Sequence, residues 1–208
     1  EERRIHVIPP GLDGREILGA PAALVRSTAR ELGPGPWVLY AGNPDGYQNL
    51  ALLWEAFACV RARRPDAKLL VVTHHPPASF GEPLARAPQR AGIVVRQHRS
   101  LDELRALFAV ADVGVCTRAL WVGTPIKVLN YIAAGLPVVA CHAAARHILT
   151  PATGTLVEPM PEAFAAGVLA QLNATRRRPR RAPDRAFERF RVESHVGLYE
   201  RAYRAVLH

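Results

Sequence analysis

The chain has 208 residues, 49% hydrophobic and 22% charged, proportions that support a packed core and exclude a disordered chain. Its length suits one domain with appendages. The net charge of +9 comes almost wholly from arginine, since Lys68 and Lys127 are the only lysines; attraction to nucleotides, nucleic acid or an anionic membrane is one consequence, and a solvated basic face is the plainer one.

Gly, Pro or charge interrupts every apolar run before it reaches the roughly 20 residues of a membrane span, so a soluble chain is expected. The sequence starts at Glu1 with no Met, charged n-region or apolar h-region, and is read as carrying no signal peptide and as a piece of a longer protein. Cys59, Cys116 and Cys141 lack CxxC spacing and sit inside or at the end of apolar runs. Buried, reduced thiols in a cytoplasmic setting fit that placement.

At the start, Ile5-His6-Val7-Ile8 is a short extended run stopped by the turn Pro9-Pro10-Gly11, and a helix is predicted over 21–32. Strands are then predicted over 37–42, 68–73, 92–97, 112–116, 136–141 and 154–157, alternating with helices over 49–63, 81–91, 100–111, 125–134 and 161–173. Such alternation builds an α/β fold, a doubly wound parallel sheet of about six strands with helices on both faces, Rossmann-like in character. Ser100-Leu101-Asp102-Glu103 reads as a capping box, and Gly135-Leu136-Pro137 ends one helix and launches a strand.

The helix over 125–134 is apolar nearly all round, through Ile126, Val128, Leu129, Ile132, Ala133 and Ala134, so it is predicted to be central and buried. Lys127 is conspicuous there. Residues 176–185 carry six Arg and two Pro with no apolar period and read as a linker. Beyond them Phe187, Phe190, Val196, Tyr199, Tyr203 and Val206 fall on one helical stripe that needs a surface to bury against. The expected organisation is a lead-in segment over 1–13, a Rossmann-like domain over 14–175, a basic linker over 176–186 and closing helices over 187–208.

In open α/β sheets ligands bind outside the carboxyl ends of the strands, near the point where strand order reverses. Two loops answer that description. Gly42-Asn43-Pro44-Asp45-Gly46-Tyr47-Gln48-Asn49 follows the first strand, with glycines that admit a ligand to the backbone and a helix N-terminus near Asn49; a plain βα turn explains it equally well. Thr117 to Lys127 follows the fourth, with Pro125 at the helix start, free N–H groups expected on Gly123 and Thr124, and Lys127 in the first turn. A cation beside such donors suits a diphosphate, and a lysine snorkelling from a buried helix is the weaker alternative.

His74, His75 and His142 fall at strand ends, but adjacent histidines on extended chain point to opposite faces and the step from His142 to His147 does not align on a helix. Metal ligation is therefore not expected. Walker, G-x-S-x-G, H-E-x-x-H and strand-following G-x-G-x-x-G motifs are all missing from the sequence, which weakens P-loop, hydrolase and dehydrogenase readings.

Together these residues resemble the carboxyl-terminal domain of the retaining glycosyltransferases built from two facing Rossmann-like domains, the GT-B group that includes glycogen-synthase-like and mannosyltransferase enzymes. Val7-Ile8-Pro9-Pro10-Gly11-Leu12-Asp13 looks like that family's lead-in from its first domain. Tyr40-Ala41-Gly42-Asn43 with Tyr47-Gln48-Asn49 looks like its phosphate loop, and Ala111-Asp112-Val113 like its Ala-Asp strand start. The most specific match runs without a gap from Gly123-Thr124-Pro125-Ile126-Lys127 through Tyr131-Ile132-Ala133-Ala134-Gly135 to Pro137-Val138-Val139.

The resemblance implies transfer of a glycosyl unit from a nucleoside diphosphate sugar, with retention, to an acceptor held by a missing N-terminal domain. On that basis Lys127 and Arg118 are the catalytic candidates, assisting departure of the diphosphate. Gly42, Asn43, Gln48, Gly123, Thr124 and Lys127 are the diphosphate candidates, with the amides of Gly42, Gly123 and Thr124 as donors. Asn130, Val95 and Arg96 are the ribose and base candidates.

No metal and no cofactor are implied beyond the donor substrate, and the isolated domain is expected to transfer little. Departures from the pattern are Asn43 and Gln48, where many members carry Arg and Lys, and Val122 and Asn130, where many carry Glu. A non-catalytic partner subunit and a nucleotide-sugar epimerase on the same scaffold are the rival readings. Nucleic acid is not an expected partner; the run from Arg176 to Arg181 would suit an anionic membrane surface.

Overall fold

The computed structural model describes residues 6, 8–13, 17, 19–88, 90–175, 188 and 190–207. The predicted linker falls outside them, apart from its neighbours. Helix α1 (Ala22–Leu32) leads into β1 (Trp37–Ala41), α2 (Leu50–Arg63), β2 (Lys68–Thr73), α3 (Gly81–Ala85) and β3 (Ile93–Gln97). After these come α4 (Leu101–Val110), β4 (Val113–Cys116), α5 (Ile126–Ala133), β5 (Val138–Cys141), α6 (His142–Ala145), β6 (Gly154–Val157), α7 (Pro161–Thr175) and α8 (Val192–Leu207).

The six strands form one sheet in the order β3-β2-β1-β4-β5-β6, and every pairing is parallel. The order reverses between β1 and β4, so the loops leaving these neighbours diverge and open a crevice at their carboxyl ends. Both faces of the sheet are covered, which is why the central strands read as continuous apolar runs instead of alternating ones. Along β1, Trp37 and Leu39 enter the layer shared with α1, α4 and α5, while Val38 and Tyr40 enter the layer shared with α2 and α7.

Local signals set most boundaries. Ser100 Oγ accepts the Glu103 N–H at 3.2 Å, and the Glu103 carboxylate reaches back to the N–H of Arg99 at 2.7 Å, fixing the start of α4. Helix α5 stops at Gly135, whose φ is 69°; the Gly135 N–H meets the Ile132 carbonyl and the Leu136 N–H meets the Tyr131 carbonyl, both at 2.9 Å. That pair of bonds satisfies the last carbonyls and needs a left-handed residue, a conformation open to glycine. Asp112 Oδ2 takes the Trp37 N–H at 2.7 Å, clamping the starts of β1 and β4 together.

Two expectations change. The helix predicted over 81–91 is only α3, preceded by a 3-10 turn at Pro77–Phe80, because Pro88 disfavours a helical conformation at Ala87 and offers no N–H. The helix predicted from Pro125 starts one residue later, with Pro125 as its cap at ψ 96°.

The two ends of the described chain converge. The Leu12 N–H donates to the Phe190 carbonyl at 2.7 Å and the Val192 N–H to the Leu12 carbonyl at 3.2 Å, while His195 Nδ1 lies 2.8 Å from the Arg191 carbonyl oxygen. Phe190 and His195 are buried there. Of the rest of the predicted stripe, Val196, Tyr199, Tyr203 and Val206 lie exposed on α8, and Phe187 falls outside the described residues.

Packing between β4 and α5 is close. A Cβ added at Gly114 would come within 2.5 Å of Tyr131 Cδ2, so the missing side chain makes room for the ring. Gly114→Ala is expected to destabilise the fold by about 1–3 kcal/mol, measured as a lower midpoint in urea with an unchanged slope.

Candidate functional site

The crevice between the loops after β1 and β4 gathers an unusual set of charges. Lys127, in the first turn of α5, lays its ammonium 4.0 Å from the centroid of the Tyr40 ring and donates to Gln48 Oε1 at 2.7 Å. Arg118, just past β4, donates from Nε to the same oxygen at 3.3 Å, and its guanidinium stacks 4.7 Å from the Tyr47 ring centroid. Neither cation pairs with a carboxylate among the described residues.

Backbone geometry makes this possible. Gly42 has φ 155°, and a Cβ there would stand 2.7 Å from Lys127 Nζ and 3.1 Å from the Tyr40 hydroxyl. Gly42 therefore supplies space. Its N–H is already donated to the Val72 carbonyl at 2.8 Å, which corrects the expectation that this amide is free to bind phosphate. Asn49, at φ 54°, turns the chain into α2 and accepts from the Leu52 N–H at 3.5 Å. The Gly123 and Thr124 N–H groups, in the loop just before the Pro125 cap of α5, find no acceptor among the described residues.

Enclosure has an electrostatic consequence. Desolvation pushes the Lys127 pKa down to about 8; Arg118 pushes it the same way, while Cys116 and Asp45 oppose the shift. Lys127 is charged at neutral pH but only by a narrow margin. Burial pushes the Tyr40 and Tyr131 hydroxyls far above their usual range, so both stay neutral and serve as hydrogen-bonding groups: Tyr40 donates to the Asn43 carbonyl at 3.0 Å, and Tyr131 accepts the Ala41 N–H at 2.7 Å. The side-chain oxygens of Asn43 and Asn130 are closed off from solvent and have no hydrogen-bond partner.

Of the residues predicted from sequence, Gly42, Gln48, Arg118 and Lys127 come together. Val95 and Arg96 do not join them: Val95 packs against the α2 face of the sheet, and Arg96 pairs with Glu31 of α1. The sequence does not single out the contacts that Tyr40, Tyr47 and Thr117 make with this group; Thr117 Oγ1 donates to the Gln48 carbonyl at 2.8 Å. A hydroxyl directly after an apolar strand was the available signal for Thr117.

The histidines also differ from expectation. Strand β2 ends at Thr73, so His74 and His75 lie in a bend, and their ring centroids are 4.1 Å apart instead of pointing to opposite faces. His98 joins them at 6.5 Å from His74, its pKa lowered chiefly by burial. Among the described residues no group of three His, Cys, Asp or Glu is placed to hold a metal, and no helix is long and apolar enough to cross a membrane.

Fold and site together define a Rossmann-like α/β domain with a cationic recess at its switch point. The family described as glycosyl transferases group 1 matches residues 35–174, and the chain belongs to that family. No curated protein matches the sequence.

Among solved structures, a glycosyltransferase from Rickettsia africae superimposes with a TM-score of 0.78 at 16% identity, over 100% of this chain and 58% of that one. Sucrose-phosphate synthase from Thermosynechococcus elongatus gives 0.76 at 21% identity, over 96% of this chain and 52% of that one. The Anabaena protein HepE, solved with UDP and glucose, gives 0.75 at 16% identity, over 96% and 56%. At these identities the likeness is one of fold, and the chain spans about half the length of each.

Holding Lys127 charged opposes folding. Its pKa of about 8, against 10.5 for a free side chain, means that the unfolded state binds more protons between those values, so stability rises with pH across that window. Lys127→Met is expected to stabilise the fold by about 1–3 kcal/mol at pH 7, with the gain shrinking above pH 8 and gone by about pH 10.5. Urea denaturation across that pH range measures it.

Proposed function

We propose that this chain is the donor-binding half of a retaining glycosyltransferase of the GT-B type, gripping the diphosphate of a nucleotide-sugar. The observation that carries the reading is the pair Lys127 and Arg118, brought to one oxygen at the switch point with no ion pair to a carboxylate among the described residues. As the glycosidic bond breaks, negative charge grows on the departing diphosphate. The enclosed Lys127, the partly exposed Arg118 and the free N–H groups of Gly123 and Thr124 would stabilise it by preorganised electrostatics, without a metal.

The ribose and base would then lie toward β2 and β3. Asn130, whose amide oxygen is enclosed and unpartnered, would meet a ribose hydroxyl only once its side chain turns outward. The backbone at 95–98 and the imidazoles of His74, His75 and His98 fit the base end better than the side chains of Val95 and Arg96.

The word half rests on three observations. The chain spans about half of each solved relative, its two flanks meet at Leu12 and Arg191, and α8 carries an uncovered apolar stripe. An N-terminal acceptor domain would cover that stripe. Cytoplasmic placement, with the run from Arg176 to Arg181 resting on an anionic membrane, completes the reading; that run lies outside the described residues.

A non-catalytic partner subunit is the second reading, favoured by one observation. Val122, half exposed beside the recess, has no group that could contact a sugar hydroxyl. Loss of turnover in a full-length Lys127→Ala enzyme would rule it out.

Titration calorimetry of the chain with UDP, GDP and ADP tests the donor site. Binding of at least one is expected, weakened by roughly 10- to 100-fold in Lys127→Ala. No binding of any of the three at millimolar concentration would overturn the proposal.

A further inference from the structure

We infer that Gln48 is a positioning residue for the site, whose enclosed side-chain oxygen draws Lys127 and Arg118 into one unneutralised dication matched to two adjacent phosphate groups. The ligand class rests on the donor-binding reading above. The assignment to Gln48 rests on geometry alone.

Gln48 is only 4% exposed although it lies in the short 3-10 turn Gly46–Gln48 between β1 and α2. Both of its backbone groups are pinned, the N–H to the Asp45 carbonyl at 2.9 Å and the carbonyl by Thr117 Oγ1 at 2.8 Å. Its side chain is thereby aimed across the crevice from the β1 loop to the β4 loop and α5. The orientation of the amide follows from its partners: Lys127 and Arg118 only donate, so the atom between them must be the carbonyl oxygen, because the NH2 group would set donor against donor.

Elimination shows why a glutamine suits this place. A glutamate would bring the same reach but cancel one of the two charges. A lysine would add a third cation to a recess where Arg118 already depresses Lys127. An apolar side chain would leave an enclosed ammonium without its acceptor. Only a neutral acceptor of this length gathers both cations and preserves their charge for a ligand.

The other groups facing Lys127 cannot take over the task. Tyr40 offers its ring face, Gly42 its backbone, Cys116 a buried thiol and Arg118 a repelling charge. Asp45 acts on it at long range, without an ion pair among the described residues. The Tyr131 hydroxyl is engaged with the Ala41 N–H.

The test compares wild type, Gln48→Glu and Gln48→Met in two measurements. In the first, both lysines are reductively methylated with carbon-13 and titrated by NMR, with Lys68 as internal control. Lys127 is expected to titrate higher in Gln48→Glu and lower in Gln48→Met, while Lys68 stays fixed.

In the second, calorimetry at pH 7 measures binding of pyrophosphate and of inorganic phosphate. Wild type is expected to prefer pyrophosphate, and each variant to bind it roughly tenfold or more weakly. An unmoved Lys127 titration in both variants, or equal pyrophosphate affinity in wild type and Gln48→Glu, overturns the inference. Should Gln48→Met fail to fold, the nearly isosteric Gln48→Glu still decides it. If Lys127 shifts as expected and pyrophosphate binds, yet UDP, GDP and ADP do not, the donor reading fails and the role of Gln48 stands.

Discussion

The candidate site depends on one costly placement, an ammonium enclosed at the point where the strand order reverses. Lys127 sits on a helix that is buried along Val128, Leu129, Tyr131, Ile132 and Ala133, although Ile126, expected in the core, is exposed, so α5 cannot rotate to release Lys127 without exposing Val128, Leu129 and Ile132. The surroundings accommodate the charge piece by piece. Gly42 leaves room, Tyr40 presents the electron-rich face of its ring, and Gln48 supplies the acceptor. Each contribution offsets part of the desolvation and none removes the charge. The outcome is a lysine held just on the protonated side of neutrality.

Strand order turns that placement into a site. Because β1 and β4 are neighbours while their following helices lie on opposite faces, their loops part at the carboxyl edge. The close fit of Gly114 under Tyr131 draws α5 against β4, and the Tyr131 hydroxyl then reaches the Ala41 N–H on the next strand. One ring thus ties the helix that bears Lys127 to the strand that ends at Gly42. Core packing and site geometry share the same residues, so strain in one would be felt by the other.

The four central strands were legible in the sequence because strands buried on both faces are contiguous apolar runs, and the partly buried edge strands were legible as short runs with β-branched residues. Lys127 was legible for the converse reason, as a charge where the pattern permits none. What could not be read depends on chain path rather than period. The bend after Thr73 brings His74 against His75 although strand alternation would separate them, and Pro88 shortens α3 against its spacing. The Gly42 amide was misjudged because nothing local reveals that Val72, on the neighbouring strand, takes its proton. The inward turn of Gln48 is likewise fixed by Thr117, 69 residues away.

The recess is built unevenly, and the imbalance bears on how a donor would be read. Around Lys127 and Arg118 the cations, amides and aromatic rings belong to this chain. The lip beside it is apolar: Leu120, Trp121, Val122 and Ile126 are all exposed, with Trp121 edge-on to His147 at 5.7 Å. Apolar side chains cannot tell one arrangement of sugar hydroxyls from another, since that needs directed hydrogen bonds whose loss leaves a partner unsatisfied. On the donor-binding reading, charge complementarity to the diphosphate supplies affinity here, and discrimination among sugars must come from backbone groups or from the facing domain. A chain of this kind would hold many nucleoside diphosphates and choose weakly among what they carry.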